Sequence, residues 1–413
     1  MDTIFWTDPA VWILALAALG GFFMAFNNGA NDVSNAFASA VGSQAIGMRK
    51  ALFLAGIFTV IGAVFFGGKV AVKLVEGLVQ VTQFDDPLDY GLAMVSVLFS
   101  AGIFILISTG LGLPVSCTHS IVGSFTGMNV AVIGWDAIEW GVLGWIALSW
   151  VLSPILAGAF SWSLLWLIES KWQPLKKRRF FKVLYAFIAF LLALGSFFVL
   201  DHFSWQWSVG LDRLDKLQLA FIVGLIAYAL LAISYRFQVQ RPTKNQAFER
   251  LQVGTACAVA FGNGANDVSN SISPLLAVYW VLCSGGFPGS ADAAVIPNWI
   301  LWVGGSGILC GILLLGHRVM ETLGRKITVL TPDKGFGIDL SVAIVVISAS
   351  ALGLPISTTH AATGSIIGGG LRNGIRNLSL SVLAKIFIAW IFTVPMAAVL
   401  TIGVYKLLGF VLL

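Results

Sequence analysis

Apolar stretches of about twenty residues recur along the whole 413-residue chain, each long enough to cross a bilayer as a helix. The first runs from about Ala10 to Phe26 and meets the polar run Asn27-Asn28-Gly29-Ala30-Asn31-Asp32-Val33-Ser34-Asn35. A second follows Arg49 and Lys50 and reaches about Val75. A long stretch over 92–134 comes next, interrupted at Gly112-Leu113-Pro114-Val115-Ser116-Cys117-Thr118-His119. A span over 138–168 ends in the basic cluster Lys171, Lys176, Lys177, Arg178, Arg179 and Lys182, and two plain spans follow at 183–200 and 217–235. Then the order returns. An apolar segment leads to Gly264-Ala265-Asn266-Asp267-Val268-Ser269-Asn270, and a span covers 296–319. A further stretch is broken at Gly353-Leu354-Pro355-Ile356-Ser357-Thr358-Thr359-His360, and a last span reaches the C-terminus.

This pattern predicts an all-α membrane protein of about twelve helical segments. Each half holds a span broken at its polar run, a plain span, a re-entrant helical hairpin (92–134 or 339–372) and a closing span. The divisions are a first repeat at 1–170, linking spans and basic loops at 171–250, and a second repeat at 251–413. Basic loops stay in the cytoplasm, which puts 171–182 and 236–250 there. Counting spans outward from them puts both termini outside, and the second half begins on the side opposite the first. The halves are therefore expected as inverted-topology repeats, the plan of secondary transporters whose site lies where interrupted helices meet near the midplane.

Composition agrees with the spans. The chain is 58% hydrophobic and 10% charged, with a mean hydropathy of +0.91, against about a quarter charged residues in soluble domains. The net charge of +5 sits in short loops, where it reads as membrane orientation rather than nucleic-acid binding. Cys117, Cys257, Cys283 and Cys310 show no metal-ligand spacing and read as packed thiols. Met1–Pro9 carries two acids and no basic residue, unlike a cleavable signal peptide.

The chemistry lies in the two repeated motifs. A carboxylate deep in an apolar span costs about 2.5–3.5 kcal/mol on insertion scales, yet Asp32 and Asp267 occupy the same place in each copy. Gly29 and Gly264 would let the helix unwind there and free backbone carbonyls. With the carboxylates and amide oxygens these would form a hard-oxygen site for Na⁺, or a proton-carrying Asp. The plainer reading is polar helix packing, which needs no ionisable group. In the second motif, Pro114 and Pro355 stop the incoming helix, and the residues after them start a new one. Its unpaired N–H groups at the positive end of the helix dipole, with the hydroxyls of Ser116, Thr118, Ser357, Thr358 and Thr359, make an anion site. Two such ends facing each other would hold a tetrahedral oxyanion. No Arg or Lys lies in either motif, so cations at Asp32 and Asp267 would have to supply the balancing charge. That makes co-transport an electrostatic expectation. His119 and His360 would contact the anion, carry a proton or brace the hairpins. Pairing Ser116 with His119, or Ser357 with His360, could suggest a hydrolase, but a duplicated inverted pair serves binding and has no catalytic rationale. A passive channel would show no response to a cation gradient.

The two Gly-Ala-Asn-Asp-Val-Ser-Asn runs and the two Pro-[Val/Ile]-Ser-x-Thr-His runs, in this order, resemble the inorganic phosphate transporter (PiT) family over nearly the whole chain. The resemblance implies import of inorganic phosphate driven by Na⁺ or H⁺ by alternating access, with no cofactor, in a multi-pass protein of the cell membrane, often a homodimer. It implies that Asn31, Asp32, Asn35, Asn266, Asp267 and Asn270 bind the cations, and that Ser116, Thr118, Ser357, Thr358 and Thr359, with His119 and His360 beside them, serve phosphate. A family member could instead carry sulfate, which only accepts hydrogen bonds where phosphate can also donate one. Many sodium-type members carry a Glu in the second span where this chain has Thr59, which leaves Na⁺ and H⁺ both open as coupling ions.

Overall fold

The computed structural model describes residues 8–78, 84, 86–172, 175–206, 212–237, 243–283, 296–325, 327, 330–372 and 374–412. Every regular element among them is helical: α1 (Pro9–Gly42), α2 (Met48–Phe66), α3 (Gly68–Leu78), α4 (Pro87–Gly110), α5 (Cys117–Val132), α6 (Trp140–Leu167), α7 (Lys177–Gln206), α8 (Arg213–Phe237), α9 (Lys244–Cys283), α10 (Asn298–Leu315), α11 (His317–Arg325), α12 (Pro332–Ala351), α13 (Thr358–Leu371) and α14 (Leu380–Leu412). Nine helices among the described residues are long and apolar enough to cross a membrane. The helix starts follow local chemistry. The carboxylates of Asp8 and Asp86 accept from the amides of Ala10 and Leu88, both at 2.9 Å, with a proline in the first turn of each helix, the usual N-terminal arrangement.

The chain forms two compact units, residues 1–163 with 249–413, and residues 164–248. In the first, the order long motif helix, span, short helix, hairpin and closing span occurs twice, as α1 to α6 and α9 to α14. The motif helices run antiparallel: Ser43 donates to Gln252 Oε1 at 2.7 Å, and Asn28 donates to the Asp267 carbonyl at 2.6 Å. The second unit holds the helices α7 and α8, with the end of α6 and the start of α9. Lys216 and Asp201 pair in it at 2.9 Å, and Lys244 donates to the Leu175 carbonyl at 2.6 Å. Phe190 and Phe221 stand 61% and 65% exposed there, as lipid-facing side chains would.

Three expectations need correcting. The motif spans are not broken, since α1 and α9 run as continuous helices through 29–35 and 264–270. Gly29 and Gly264 serve close approach instead, because a Cβ on Gly29 would overlap the Ile308 carbonyl, and one on Gly264 that of Thr59. Small residues bring membrane helices together in this way, and an intact hydrogen-bond ladder costs less in apolar surroundings than freed carbonyls. The apolar runs reaching Val75 and Val319 each end in a separate short helix, α3 or α11, after Gly67 or Gly316, which raises the helix number above twelve. The basic segments expected as loops are partly helical: α7 starts at Lys177 and α9 at Lys244, while 173–174 and 238–242 lie outside the described residues.

The hairpins form as expected. Leu111 and Leu352 cap α4 and α12, and Gly112 and Gly353 turn the chain with φ of +68° and +69°, a region that glycine enters without steric cost. The returning helices then start with the side chains of Ser116 and Ser357 accepting from the amides of His119 and His360, both at 3.2 Å.

Candidate functional site

Asn28 and Asn263, one residue before each motif, clip the motif helices together. Asn28 Nδ2 donates to the Asp267 carbonyl at 2.6 Å, and Asn263 Nδ2 to the Asp32 carbonyl at 3.3 Å. This reciprocal bond brings the two carboxylates to one level. A cavity of about 10 Å³, lined by Asn28, Gly29, Asp32, Thr59, Asn263 and Asp267 among others, lies between the helices. That is about the space of one water-sized sphere.

Asn31 and Asn266 face the hairpin breaks. Asn31 Nδ2 donates to Thr109 Oγ1 at 3.0 Å and to the Leu113 carbonyl at 3.1 Å, while its Oδ1 accepts from the Val115 amide at 3.2 Å. Asn266 repeats this with Ser350 Oγ at 3.2 Å, the Leu354 carbonyl at 2.9 Å and the Ile356 amide at 3.4 Å. The groups they satisfy flank Pro114 and Pro355, where no helix ladder exists to pair them.

The two hairpins meet at their proline breaks. Thr118 Oγ1 donates to the Ile356 carbonyl and Thr359 Oγ1 to the Val115 carbonyl, both at 3.1 Å, so each returning helix is tied to the other hairpin. The carboxylates stand beside this junction. Thr358 Oγ1 lies 2.9 Å from Asp267 Oδ2, and Thr359 Oγ1 lies 3.2 Å from Asp32 Oδ1. Asn35 Nδ2 reaches Asp32 Oδ1 at 3.1 Å, Thr358 Oγ1 at 3.2 Å and Thr359 Oγ1 at 3.0 Å, and Asn270 Nδ2 reaches Thr118 Oγ1 at 3.4 Å. Cys117 occupies the position of Thr358 in the first copy. No residue of this group is more than 5% exposed. Asp267 Oδ1, Asn35 Oδ1, Asn263 Oδ1 and Asn270 Oδ1 are buried acceptors without a hydrogen-bond partner. Buried oxygens left in this way are costly and are the ligands that a hard cation takes.

The histidines lie in a row of rings. His119 and His360 meet edge to face at 4.4 Å between centroids, with Trp150 at 3.7 Å from His119 and Trp390 at 3.6 Å from His360. His360 Nδ1 is 2.9 Å from the Trp150 carbonyl. A carbonyl only accepts, so that nitrogen carries the proton. That bond braces His360 against α6, whereas both ring nitrogens of His119 and Nε2 of His360 are buried without a hydrogen-bond partner.

Motif reading missed several groups. Asn28 and Asn263 had a signal, since both halves read Asn-Gly-Ala-Asn-Asp. Thr59 was noted only as a departure from the family, and the structure puts it in the cavity wall. Asp339, 2% exposed, receives a hydrogen bond from Ser39 and has one oxygen without a partner. No repeat marks it, because the corresponding position of the first hairpin, counted from each Gly-Leu-Pro, is Leu98.

Comparison with known proteins agrees with this geometry. The model of the phosphate transporter family matches residues 28–401. A Pyrococcus abyssi protein named as a phosphate permease is 36% identical over 98% of this chain and 99% of its own length. The chloroplastic inorganic phosphate transporter 2-1 of Arabidopsis thaliana is 34% identical over 95% of this chain and 72% of its own. A solved structure, the sodium-dependent phosphate transporter, superposes with a TM-score of 0.87 at 36% identity, over 97% of this chain and 99% of that one. The protein is thus a multi-pass membrane transporter and not an enzyme. From the first motif to the closing span, this chain belongs to the phosphate transporter family.

Proposed function

We propose that the protein imports inorganic phosphate coupled to Na⁺ by alternating access, with phosphate held between the two hairpin breaks and Na⁺ at Asp32 and Asp267. The observation that carries this reading is the reciprocal junction of Thr118 with Ile356 and Thr359 with Val115, set against two carboxylates. Ser116, Thr118, Ser357, Thr358 and Thr359, with the opened helix N-termini, donate to the anion. Asp32 and Asp267, with Asn35 and Asn270, provide oxygens to the cations. Asn31 and Asn266 hold the hairpins in register, which their full set of contacts to the breaks supports. The sodium dependence named for the structural neighbour supports Na⁺ over H⁺.

Coupling follows from counting protons. A threonine hydroxyl has one hydrogen: that of Thr358 goes to Asp267 Oδ2 at 2.9 Å, and that of Thr359 is shared between the Val115 carbonyl at 3.1 Å and Asp32 Oδ1 at 3.2 Å. Na⁺ on the carboxylates weakens their claim on these hydroxyls, which then turn to the anion. Cation and phosphate thereby raise each other's affinity, as linkage requires. In the membrane, both termini lie outside and the basic segments 171–182 and 236–250 face the cytoplasm.

The test is labelled phosphate uptake into proteoliposomes under an imposed Na⁺ or H⁺ gradient, with sulfate as competitor. Uptake should follow the Na⁺ gradient and resist sulfate. Asp32→Asn and Asp267→Asn should each abolish Na⁺-driven uptake while the protein still inserts and purifies as a folded species. Full uptake in both variants would remove the cation assignment.

A further inference from the structure

The short helices α3 and α11 correspond residue by residue. Gly67 and Gly316 precede them, Val70 matches Val319, Leu74 matches Leu323, and Lys73 matches Thr322. Both valines and both leucines are buried, at 0–1% exposure, so the register is fixed by packing. Each short helix fastens the hairpin turn of the opposite half. Thr322 Oγ1 donates to the Gly112 carbonyl at 2.9 Å, and Lys73 Nζ donates to the Leu352 carbonyl at 2.6 Å. The lysine stem lies across the Gly353 turn, where a Cβ would come within 2.9 Å of Lys73 Cδ. The two fastenings sit on opposite faces of the unit. α3 lies against the C-terminal part of α9, where Ser273 donates to the Ala71 carbonyl at 3.1 Å, and α11 lies against the C-terminal part of α1, where a Cβ on Gly324 would overlap the Ala38 carbonyl. Since α1 and α9 are antiparallel, these two ends point in opposite directions.

The ordinary role of a lysine beside a terminal helix carbonyl is a cap, since the end of α12 is the negative end of its dipole. Thr322 performs the same fastening with a neutral hydroxyl, so fastening does not require a charge. Lys73 is also exposed, and Leu352 beside it is 63% exposed, so the ammonium is open to an approaching ion. We propose that Lys73 is a positioning residue for phosphate capture: its charge draws the dianion to the second hairpin from one face, while the corresponding position on the other face, Thr322, is neutral. This rests on the transport reading above, whose topology makes the face of Lys73 the outer one. A positive group at the mouth of a low-dielectric cleft raises local anion concentration, and salt screens the effect.

The test uses the full chain in proteoliposomes, with orientation established by cysteine labelling and external phosphate as the probe. Lys73→Gln keeps a donor for the Leu352 carbonyl and removes the charge, Lys73→Thr installs the group found in α11, and Lys73→Arg keeps the charge. Gln and Thr should raise the external phosphate KM by about three- to tenfold at low ionic strength, with maximal rate within about twofold. Their difference from the unaltered protein should shrink as KCl is raised, and Arg should restore the KM. A KM that stays put in Lys73→Gln at low salt, or a loss confined to maximal rate and shared by Gln and Arg, would overturn the proposal and leave a plain cap. Na⁺-driven uptake by the unaltered protein in the same vesicles decides the transport reading separately.

Discussion

A single serine hydroxyl at the start of each returning helix does two jobs that substitution can separate. Ser357 Oγ accepts from the His360 amide at 3.2 Å and so caps α13, and the same oxygen carries a proton that phosphate can receive. Replacing an N-cap serine by alanine costs about 1 kcal/mol, whereas glycine costs only a few tenths. Ser357→Ala should therefore lower the melting temperature of the purified protein, and Ser357→Gly should leave it nearly unchanged. Both should raise the phosphate KM alike if the hydroxyl serves the anion. A KM that follows the melting temperature, high in Ala and normal in Gly, would show that the serine acts through the helix end alone. The histidines answer differently. Their rings pack in the row Trp150, His119, His360, Trp390, so their loss should show first as altered packing.

Between elements, the decisive contacts are backbone against backbone. Gly29 meets Ile308 of α10 and Gly264 meets Thr59 of α2; Gly311 and Gly62 return the contact against the Phe26 and Phe261 carbonyls. No flexible side chain stands at these points to give way. Gly29→Ala and Gly264→Ala should each cost about 1–3 kcal/mol through overpacking, read as a lower melting temperature, and should reduce uptake by parting the helices that carry Asp32 and Asp267. Unchanged melting in both would mean that the helices separate without cost. The same glycines explain what was legible in the sequence. Spans, hairpins and the paired motifs follow from hydropathy, from proline and from repetition. Gly29 supports either an unwound helix or a close crossing, and only the position of α10 decides between them. The short helices were hidden because Val70, Leu74, Val319 and Leu323 continue the apolar runs before them. Asp339 was hidden because no second copy points to it.

Across the whole molecule, the two units differ in what they carry. Every residue assigned to phosphate, to the cations or to hairpin bracing lies in residues 1–163 or 249–413, and none in 164–248. The second unit supplies α7 and α8, of 30 and 25 residues, two apolar helices of spanning length. Two crossings leave the side from which α9 starts unchanged, so the antiparallel meeting of α1 and α9 does not depend on them. Excising residues 177–237 and joining the ends with a flexible polar linker should therefore preserve the orientation of the second half. Cysteine accessibility at the C-terminus should match that of the intact protein, and Na⁺-driven phosphate uptake should persist. Removing 177–206 alone takes out one crossing, reverses everything after it and should abolish uptake, because the positive-inside bias of the remaining loops then opposes the arrangement that the motif helices need. Uptake lost equally in both deletions, with the first correctly oriented, would assign α7 and α8 a part in the transport cycle itself.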